Sequence, residues 1–467
     1  MDVMTTSPQK NRYGFYYFPD TTHYRENDVH TWLPELQTLG ASWLTVLAPP
    51  DLAIPETFMR PLIEAGIEPI IHLPLSTNGS GSAQELRILF EAYAHWGIRY
   101  IALFDRPNQL KNWSASSWAQ VNLVERFLDI FIPIADSALQ AGMNPVFPPL
   151  EPGGDYWDTA FLFAALQGLQ RRGQEPLLSQ LTLSAYAWSA NRSPNWGAGG
   201  PERWPSTRPY FTPQNSEDQF GFRIFDWYLA IARAALGDSL PIILLGAGSK
   251  IGDQLDPRSP AVDVHAHTWQ NLTLVRIMSG LAQEFDPVPP EVLTCNFWLL
   301  SANPGDIEVN QAWYKPDGDT LPVVPMLKEL VTTGGDESSN ASGKFSKMKN
   351  NYPDPRPISH YLLLPTFEWG PADWHLDAIR PFINKYQPTI GFSPVEASHA
   401  KKVTVIGGAT NVPESIIDGL LAAGCIVEQI SGDGMNIASI LSSHSPESYR
   451  IDSTPKQSNP QNYQKVP

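Results

Sequence analysis

Polar and aromatic residues suited to chemistry cluster just after short apolar runs in this chain. Asp105, Arg106 and Asn108 follow one run, and Glu151 and Asp155 follow the next. Tyr186 and Trp188 close a third run, Gly246, Gly248 and Lys250 follow a fourth, and Asn296 and Trp298 belong to a fifth, with Glu308 and Trp313 nearby. Carboxyl groups from neighbouring strand ends can work as a pair, one to attack or to activate water and one to shuttle a proton. Asp105, Glu151 and Asp155 are the candidate acids for that work. Trp and Tyr faces interleaved with Asn, Asp and Arg suit the C–H faces and hydroxyls of a sugar, because a ring face attracts partially positive groups. On this ground Arg106, Asn108, Tyr186, Trp188, Trp196 and Trp298 are the candidate ligand-binding residues. The stretch 188–204 also carries Asn191, Arg192, Asn195 and Trp204 among glycines, and is long enough to wall a cleft; its tryptophans could equally pack that loop onto the body of the protein. Asp20, His23 and His72 end earlier runs, but no paired His or His-x-x-Glu spacing accompanies them, so no metal centre is expected.

The elements that must position these residues alternate along the chain. Apolar runs predict strands over 14–18, 43–47, 68–73, 100–104, 144–148, 180–186, 241–245 and 293–300. Helical spacing predicts helices over 30–39, 55–65, 83–96, 118–140, 159–171, 220–235, 272–285 and 323–331. Alternating strands and helices imply a parallel sheet, and eight such pairs match a (β/α)8 TIM barrel. An open doubly wound sheet would usually carry a glycine-rich phosphate loop after its first strand, and Phe18-Pro19-Asp20 is no such loop. In a parallel barrel the functional site sits at the C-terminal ends of the strands, where the polar clusters fall.

The barrel is expected over 13–333. A Gly-, Ser-, Asn-, Lys- and Pro-rich stretch, 334–357, reads as a linker, 358–441 as a small α/β accessory domain, and 442–467 as a disordered tail. The accessory domain is read as strands over 360–365, 402–406 and 426–430 with helices over 373–385, 413–423 and 435–441.

At three strand ends the residues resemble a known family. Tyr100-Ile101-Ala102-Leu103-Phe104-Asp105-Arg106-Pro107-Asn108, with Trp113 five residues on, is similar to the strand-four motif of the clan of retaining barrel glycoside hydrolases, an apolar strand followed by Asn-Glu-Pro-Asn. Leu240-Pro241-Ile242-Ile243-Leu244-Leu245-Gly246-Ala247-Gly248 resembles the clan's strand-seven motif, Pro-Ile-Ile-Ile-Thr-Glu-Ala-Gly, and Phe297-Trp298-Leu299-Leu300 through Trp313-Tyr314 its strand eight. The resemblance spans about 13–330 and implies a carbohydrate-active barrel. It also implies that the catalytic positions are degenerate. The clan's acid/base Glu matches Arg106 here, and its nucleophilic Glu matches Gly246. Arginine does not release its proton near neutrality and glycine offers no nucleophile, so retaining hydrolysis by those two positions is expected to be lost. Glu151 could pair with Arg106 as a structural ion pair, which is the preferred reading, since a guanidinium fork matches a carboxylate.

Further on, Lys402-Val403-Thr404-Val405-Ile406-Gly407-Gly408 and Gly424-Cys425-Ile426-Val427-Glu428-Gln429-Ile430-Ser431-Gly432-Asp433 resemble one unit of the bacterial cell-wall-binding repeat of type two. That repeat carries arginines where this chain has Gln429 and Gly434.

Composition narrows the partners. The 467 residues carry a formal charge of −16, and no Lys/Arg stripe offsets it locally, so nucleic acid is not expected as a partner. No stretch approaches the roughly 20 apolar residues of a membrane helix. Two cysteines, Cys295 and Cys425, make neither a disulfide framework nor a metal cluster, and no cofactor is implied. The first twelve residues lack the apolar segment of a secretory signal, which predicts a cytoplasmic chain, whereas a wall-binding unit would place it at the cell envelope. The expected function is that of a glycoside-hydrolase-like barrel, a pseudoenzyme, that binds a carbohydrate or cell-envelope glycan. The alternatives are an active glycosidase with relocated acids (Asp105, Glu151, Asp155) and an envelope-associated scaffold without ligand.

Overall fold

The computed structural model describes residues 11–79, 82–333, 358–365, 379–383, 388–407, 412–431, 437 and, as backbone, 464–466. The chain divides into two compact units, Met1–Asp336 and Glu337–Pro467, each described by itself below. The expected linker lies outside the described residues.

In the first unit eight strands run parallel: β1 Tyr13–Tyr16, β2 Trp43–Leu47, β3 Glu68–Leu73, β4 Tyr100–Leu103, β5 Asn144–Val146, β6 Leu183–Trp188, β7 Ile242–Gly248 and β8 Val292–Phe297. Their order in the sheet is β5-β4-β3-β2-β1-β8-β7-β6. The remaining gap is bridged where Val146 pairs with Thr182, and Phe147 N donates to Thr182 O at 2.7 Å, so the sheet is a nearly closed TIM barrel. Trp43, Ile70, Ala102, Val146, Ile243 and Leu245 form one buried cluster. Residues of β2–β5 and of β7 meet only across the axis, so this cluster is the layered filling that a small barrel requires.

Eight principal helices follow the strands: α1 Glu26–Thr38, α2 Glu56–Glu64, α3 Ala83–His95, α4 Leu123–Gln140, α5 Asp158–Arg171, α6 Ile224–Leu236, α7 Val264–Met278 and α8 Val323–Thr332. Their local signals are legible. Ser82 and Glu85 form a reciprocal cap at the start of α3, and Gly237, at φ 84°, ends α6.

Two helices depart from expectation. The run 118–140 breaks into a turn, Ala115–Trp118, and α4, because Asn122 takes a left-handed conformation (φ 61°) that asparagine tolerates. The helix expected over 272–285 begins eight residues earlier, where the Asp263 carboxylate caps the Ala266 N–H at 2.7 Å. Its first turns bury His267, Thr268, Gln270 and Asn271, polar residues that hide a helical period from a hydrophobicity reading.

The second unit holds a parallel five-stranded sheet of order β10-β9-β11-β12-β13, with β9 Ile358–Leu363, β10 Thr389–Gly391, β11 Ala400–Ile406, β12 Ile426–Ile430 and β13 Gln464–Val466. Helices α9 Pro394–Ala397 and α10 Glu414–Ala422 accompany it. Two buried clusters, one around Tyr361, Val403 and Leu420 and another around Leu362, Ile406 and Ile430, use alternate residues of the same strands and so lie on opposite faces. The sequence reading missed β10, which is short, and β13, which falls within the expected tail. The rest of that tail, and the expected helices over 373–385 and 435–441 apart from 379–383 and 437, lie outside the described residues.

Candidate functional site

The strand-four end is organised around Arg106. Its Nη1 donates to Asp105 Oδ2 at 2.8 Å, and its Nε lies 2.7 Å from Glu151 Oε2. The guanidinium carbon stands 4.1 Å from the centre of the Tyr186 ring, and Tyr186 Oη donates to Asp105 Oδ1 at 2.7 Å. The expected Arg106–Glu151 pair is therefore present, and Asp105 shares the same cation. Burial works against the Arg106 charge, but Tyr186, Asp105 and Glu151 outweigh it and hold the guanidinium above its ordinary pKa. Burial, with the Asp105 charge close by, pushes the Tyr186 phenol well up, so it stays a donor. Arg106 thus acts as a fixed cation, with no proton to shuttle.

The backbone here is also fixed. Phe104 and Arg106 have φ of 64° and 45°, the left-handed region that bulky residues avoid. Such residues persist only where the surroundings hold them. Arg106 N donates to Pro149 O at 3.0 Å, and Asn112 Nδ2 donates to both Asp105 O and Arg106 O at 2.9 and 2.7 Å.

At the strand-seven end, Gly246 lies inside β7 rather than after it. A register shift between Ala185 and Tyr186 pairs Tyr186 with Gly246 and Trp188 with Gly248. The Tyr186 and Trp188 rings stack nearly parallel, 5.4 Å between centres at 11°. A Cβ placed on Gly246 would come within 2.9 Å of Trp188 Cη2 and 3.2 Å of Tyr186 Cδ1. The aromatic pair occupies the space into which a side chain at this position would project. Gly248 is constrained differently: its φ is 105°, and a Cβ there would meet Asn271 Oδ1, where α7 crosses close to the strand.

Trp188 continues outward into a second aromatic contact. It meets Trp298 edge-on at 5.9 Å, and Trp298 in turn packs on Tyr16 at 4.6 Å. The Lys250 ammonium lies 3.8 Å from the Trp188 ring centre and 5.1 Å from that of Trp298. Loss of solvent lowers its pKa; Glu308 and Asp253 act in the opposite sense and Arg106 in the same one. Trp298 Nε1 donates to Glu308 Oε2 at 3.2 Å. A cleft of about 270 Å³ opens beside this cluster, lined by Glu151, Tyr186, Trp188, Phe220, Asp253 and Leu255 among others. Burial raises the Asp253 carboxyl above its ordinary value, against the lowering effect of Lys250.

The structure thus brings Asp105, Arg106, Glu151, Tyr186, Trp188 and Trp298 into one connected group. It does not bring Asn108, Asp155 or Trp196 to the cleft. Asn108 is fully buried; its amide donates to Glu151 O and Tyr156 O and accepts from Glu151 N, at 2.8 to 3.0 Å, so it staples two loops and has no face for a ligand. Asp155 is exposed and accepts from Leu110 N at 2.8 Å, a loop contact. Trp196 donates to Asp218 Oδ1, lies under the Arg192 guanidinium and packs against Gly221, so it anchors its own loop. His72 is buried and bonds Tyr16 Oη at 2.9 Å, and His23 stacks on Phe18. Sequence reasoning missed Asp253 and Phe220, and it noted Lys250 without giving it a role. The signal for Lys250 and Asp253 was their place in the turn directly after β7, where Asp253 N donates to Lys250 O at 3.2 Å.

The sequence matches no protein-family model and no curated protein. Among solved structures it is similar to a family 39 glycoside hydrolase from Bacteroides cellulosilyticus, at 12% identity over 71% of this chain and 66% of that one, TM-score 0.45. It is also similar to an FMN-binding β-glucuronidase from Facaelibacterium prausnitzii, at 10% identity over 68% and 43% of the two chains, TM-score 0.38. A third is an endo-β-1,3-glucanase from Sorangium cellulosum, at 12% identity over 68% and 96%, TM-score 0.37. The chain spans less than two thirds of the length of the first two.

Proposed function

We propose that the barrel binds a carbohydrate in the cleft beside Trp188 and does not hydrolyse it through the strand-four and strand-seven ends. The observation that carries this reading is the pairing of an aromatic wall with a neutralised acid site. Tyr186, Trp188 and Phe220 supply ring faces, and Glu151 and Asp253 supply acceptors for hydroxyls, in a cleft near the lower end of the size range for small-ligand sites, roughly 300–1,000 Å³. Meanwhile Asp105 and Glu151 share one arginine, and Gly246 is roofed by rings. Carboxylates already committed to one guanidinium keep lone pairs for hydroxyls, which suits recognition more than the two free carboxyl groups of retaining hydrolysis.

Titration calorimetry with a panel of methyl glycosides and short oligosaccharides tests this. Binding is expected to weaken roughly tenfold in Trp188→Ala, about 1–1.5 kcal/mol for one lost aromatic face. Trp196→Phe, away from the cleft, is expected to bind as the native chain does. Equal affinity in Trp188→Ala and the native protein would remove the proposal. The second unit we assign as an accessory module whose β11–α10–β12 segment carries the wall-binding resemblance. Pull-down of the full chain by purified cell-wall glycan, with and without residues 358–467, reads that assignment.

A further inference from the structure

The loop after β6 carries an aromatic ring that the cleft leaves unused. Arg208 and Phe211 exchange backbone hydrogen bonds at 3.0 Å in both directions, which closes a tight turn with Pro209 and Tyr210 at its centre. Proline fixes φ at about −65°, and Tyr210 follows at φ 62°, in the left-handed region. That is the type II pattern, whose second central position favours glycine or asparagine. A tyrosine persists there only because its surroundings hold it. Tyr210 Oη accepts from Trp157 N at 3.1 Å and donates to Asp155 O at 3.4 Å, and its ring packs on the Trp157 ring, 4.6 Å between centres. Even so, Tyr210 and its neighbour Phe211 are the two most exposed aromatic side chains among the described residues, at 67% and 63%. Trp157 is buried and also meets Phe220, 5.7 Å between centres, and Phe220 lines the cleft. Phe220 is itself fixed, since its N–H donates to Asp218 Oδ1 at 3.1 Å and its carbonyl accepts from Arg192 Nη1 at 2.7 Å. One buried indole therefore braces a ring of the cleft and a ring beyond it.

We infer that Tyr210 is an outer stacking subsite, and that the ligand is a linear oligosaccharide whose chain leaves the cleft past Phe220 and rests a further sugar unit on the Tyr210 ring. This inference rests on the sugar-binding reading of the cleft and narrows its ligand from a single sugar to a chain. The phenol hydroxyl is committed to Trp157 N and Asp155 O, so the ring face is what Tyr210 offers. A ring face attracts the partially positive C–H groups of a pyranose whatever the pattern of its hydroxyls. Because the turn, the hydroxyl and the indole already fix the ring, little side-chain freedom is left to lose when a sugar settles on it. Once the inner unit occupies the cleft, the outer contact forms within the same complex, so even a weak stacking surface adds to the affinity of a chain long enough to reach it.

Titration calorimetry of the full chain with cellobiose, cellohexaose, laminaribiose and laminarihexaose tests this. In at least one series the six-unit chain is expected to bind roughly three- to tenfold more tightly than the two-unit one, the worth of one aromatic face. Tyr210→Gly removes the ring and suits the left-handed turn position, so the fold is retained, as a denaturant melt checks, and the gain with chain length is expected to disappear. Tyr210→Phe keeps the ring without the bonds that hold it and is expected to retain part of the gain. Equal affinity for the two lengths in both series, or a gain that persists in Tyr210→Gly, overturns the inference. The two readings fail separately: two-unit binding that weakens in Trp188→Ala with no gain from length ends this inference alone. A gain that is lost in Tyr210→Gly while Trp188→Ala changes nothing ends the cleft reading alone, and binding of none of the four sugars ends both.

Discussion

Arg106 and Gly246 are the two positions on which the proposed reading of the barrel mouth turns. Arg106→Ala leaves Asp105 and Glu151 facing each other without their shared cation; because the cluster is about three-quarters buried, we expect a loss of about 1–3 kcal/mol in denaturant unfolding. Placing glutamates at the two resembled positions, Arg106→Glu with Gly246→Glu, is not expected to produce hydrolysis, because the second side chain collides with Trp188. Gly246→Glu alone should destabilise by about 1–3 kcal/mol, the range for overpacking, and Trp188→Ala in the same chain should recover part of that. Additive losses in that double-mutant cycle would show that the rings do not exclude a side chain at position 246. That Arg106 and Gly246 stand where the resembled motifs carry glutamates was legible in the sequence, since it needs only the motif. That Tyr186 and Trp188 roof the vacant position was not, because it depends on the register shift between Ala185 and Tyr186, and no composition rule reveals a one-residue slip.

The elements repeat that lesson. Strand-and-helix alternation was readable because buried parallel strands are continuous apolar runs, and all eight strands lie within a few residues of expectation. The start of α7 was not readable, because its buried first turns carry His267, Thr268, Gln270 and Asn271. His267 offers a measurable consequence. Burial pushes its pKa down to about 4, and neither ring nitrogen has a hydrogen-bond partner among the described residues. It stays neutral in the fold while the unfolded chain protonates near 6.5. The linked stability is thus present above about pH 6.5 and is lost as pH falls toward about 4, by up to about 3 kcal/mol. His267→Phe should flatten that slope in pH-dependent denaturant melts; an unchanged slope would assign the acid sensitivity elsewhere. Asn108 tests the loops. Asn108→Ala removes three hydrogen bonds between the strand-four and strand-five loops, so a loss of about 3 kcal/mol and faster proteolysis near 149–158 are expected. It was a reasonable ligand candidate from sequence, since a buried loop staple and an exposed sugar donor share the same residue type.

For the whole molecule, each unit has its own buried clusters, and calorimetry of the full chain is expected to resolve two transitions rather than one. The barrel and the accessory sheet were both anticipated, whereas the pairing of residues 464–466 with β12 joins segments too far apart in sequence for any local pattern to announce. The central claim is that the first unit is a sugar-binding barrel without hydrolysis at its two altered strand ends. Saturation-transfer NMR on one sample, followed over a day with an oligosaccharide panel, reads binding and cleavage together. The expected result is transfer to sugar ring protons that falls in Trp188→Ala, with anomeric signals unchanged throughout. Transfer to none of the panel, or new reducing-end signals that disappear in Glu151→Gln, would contradict it.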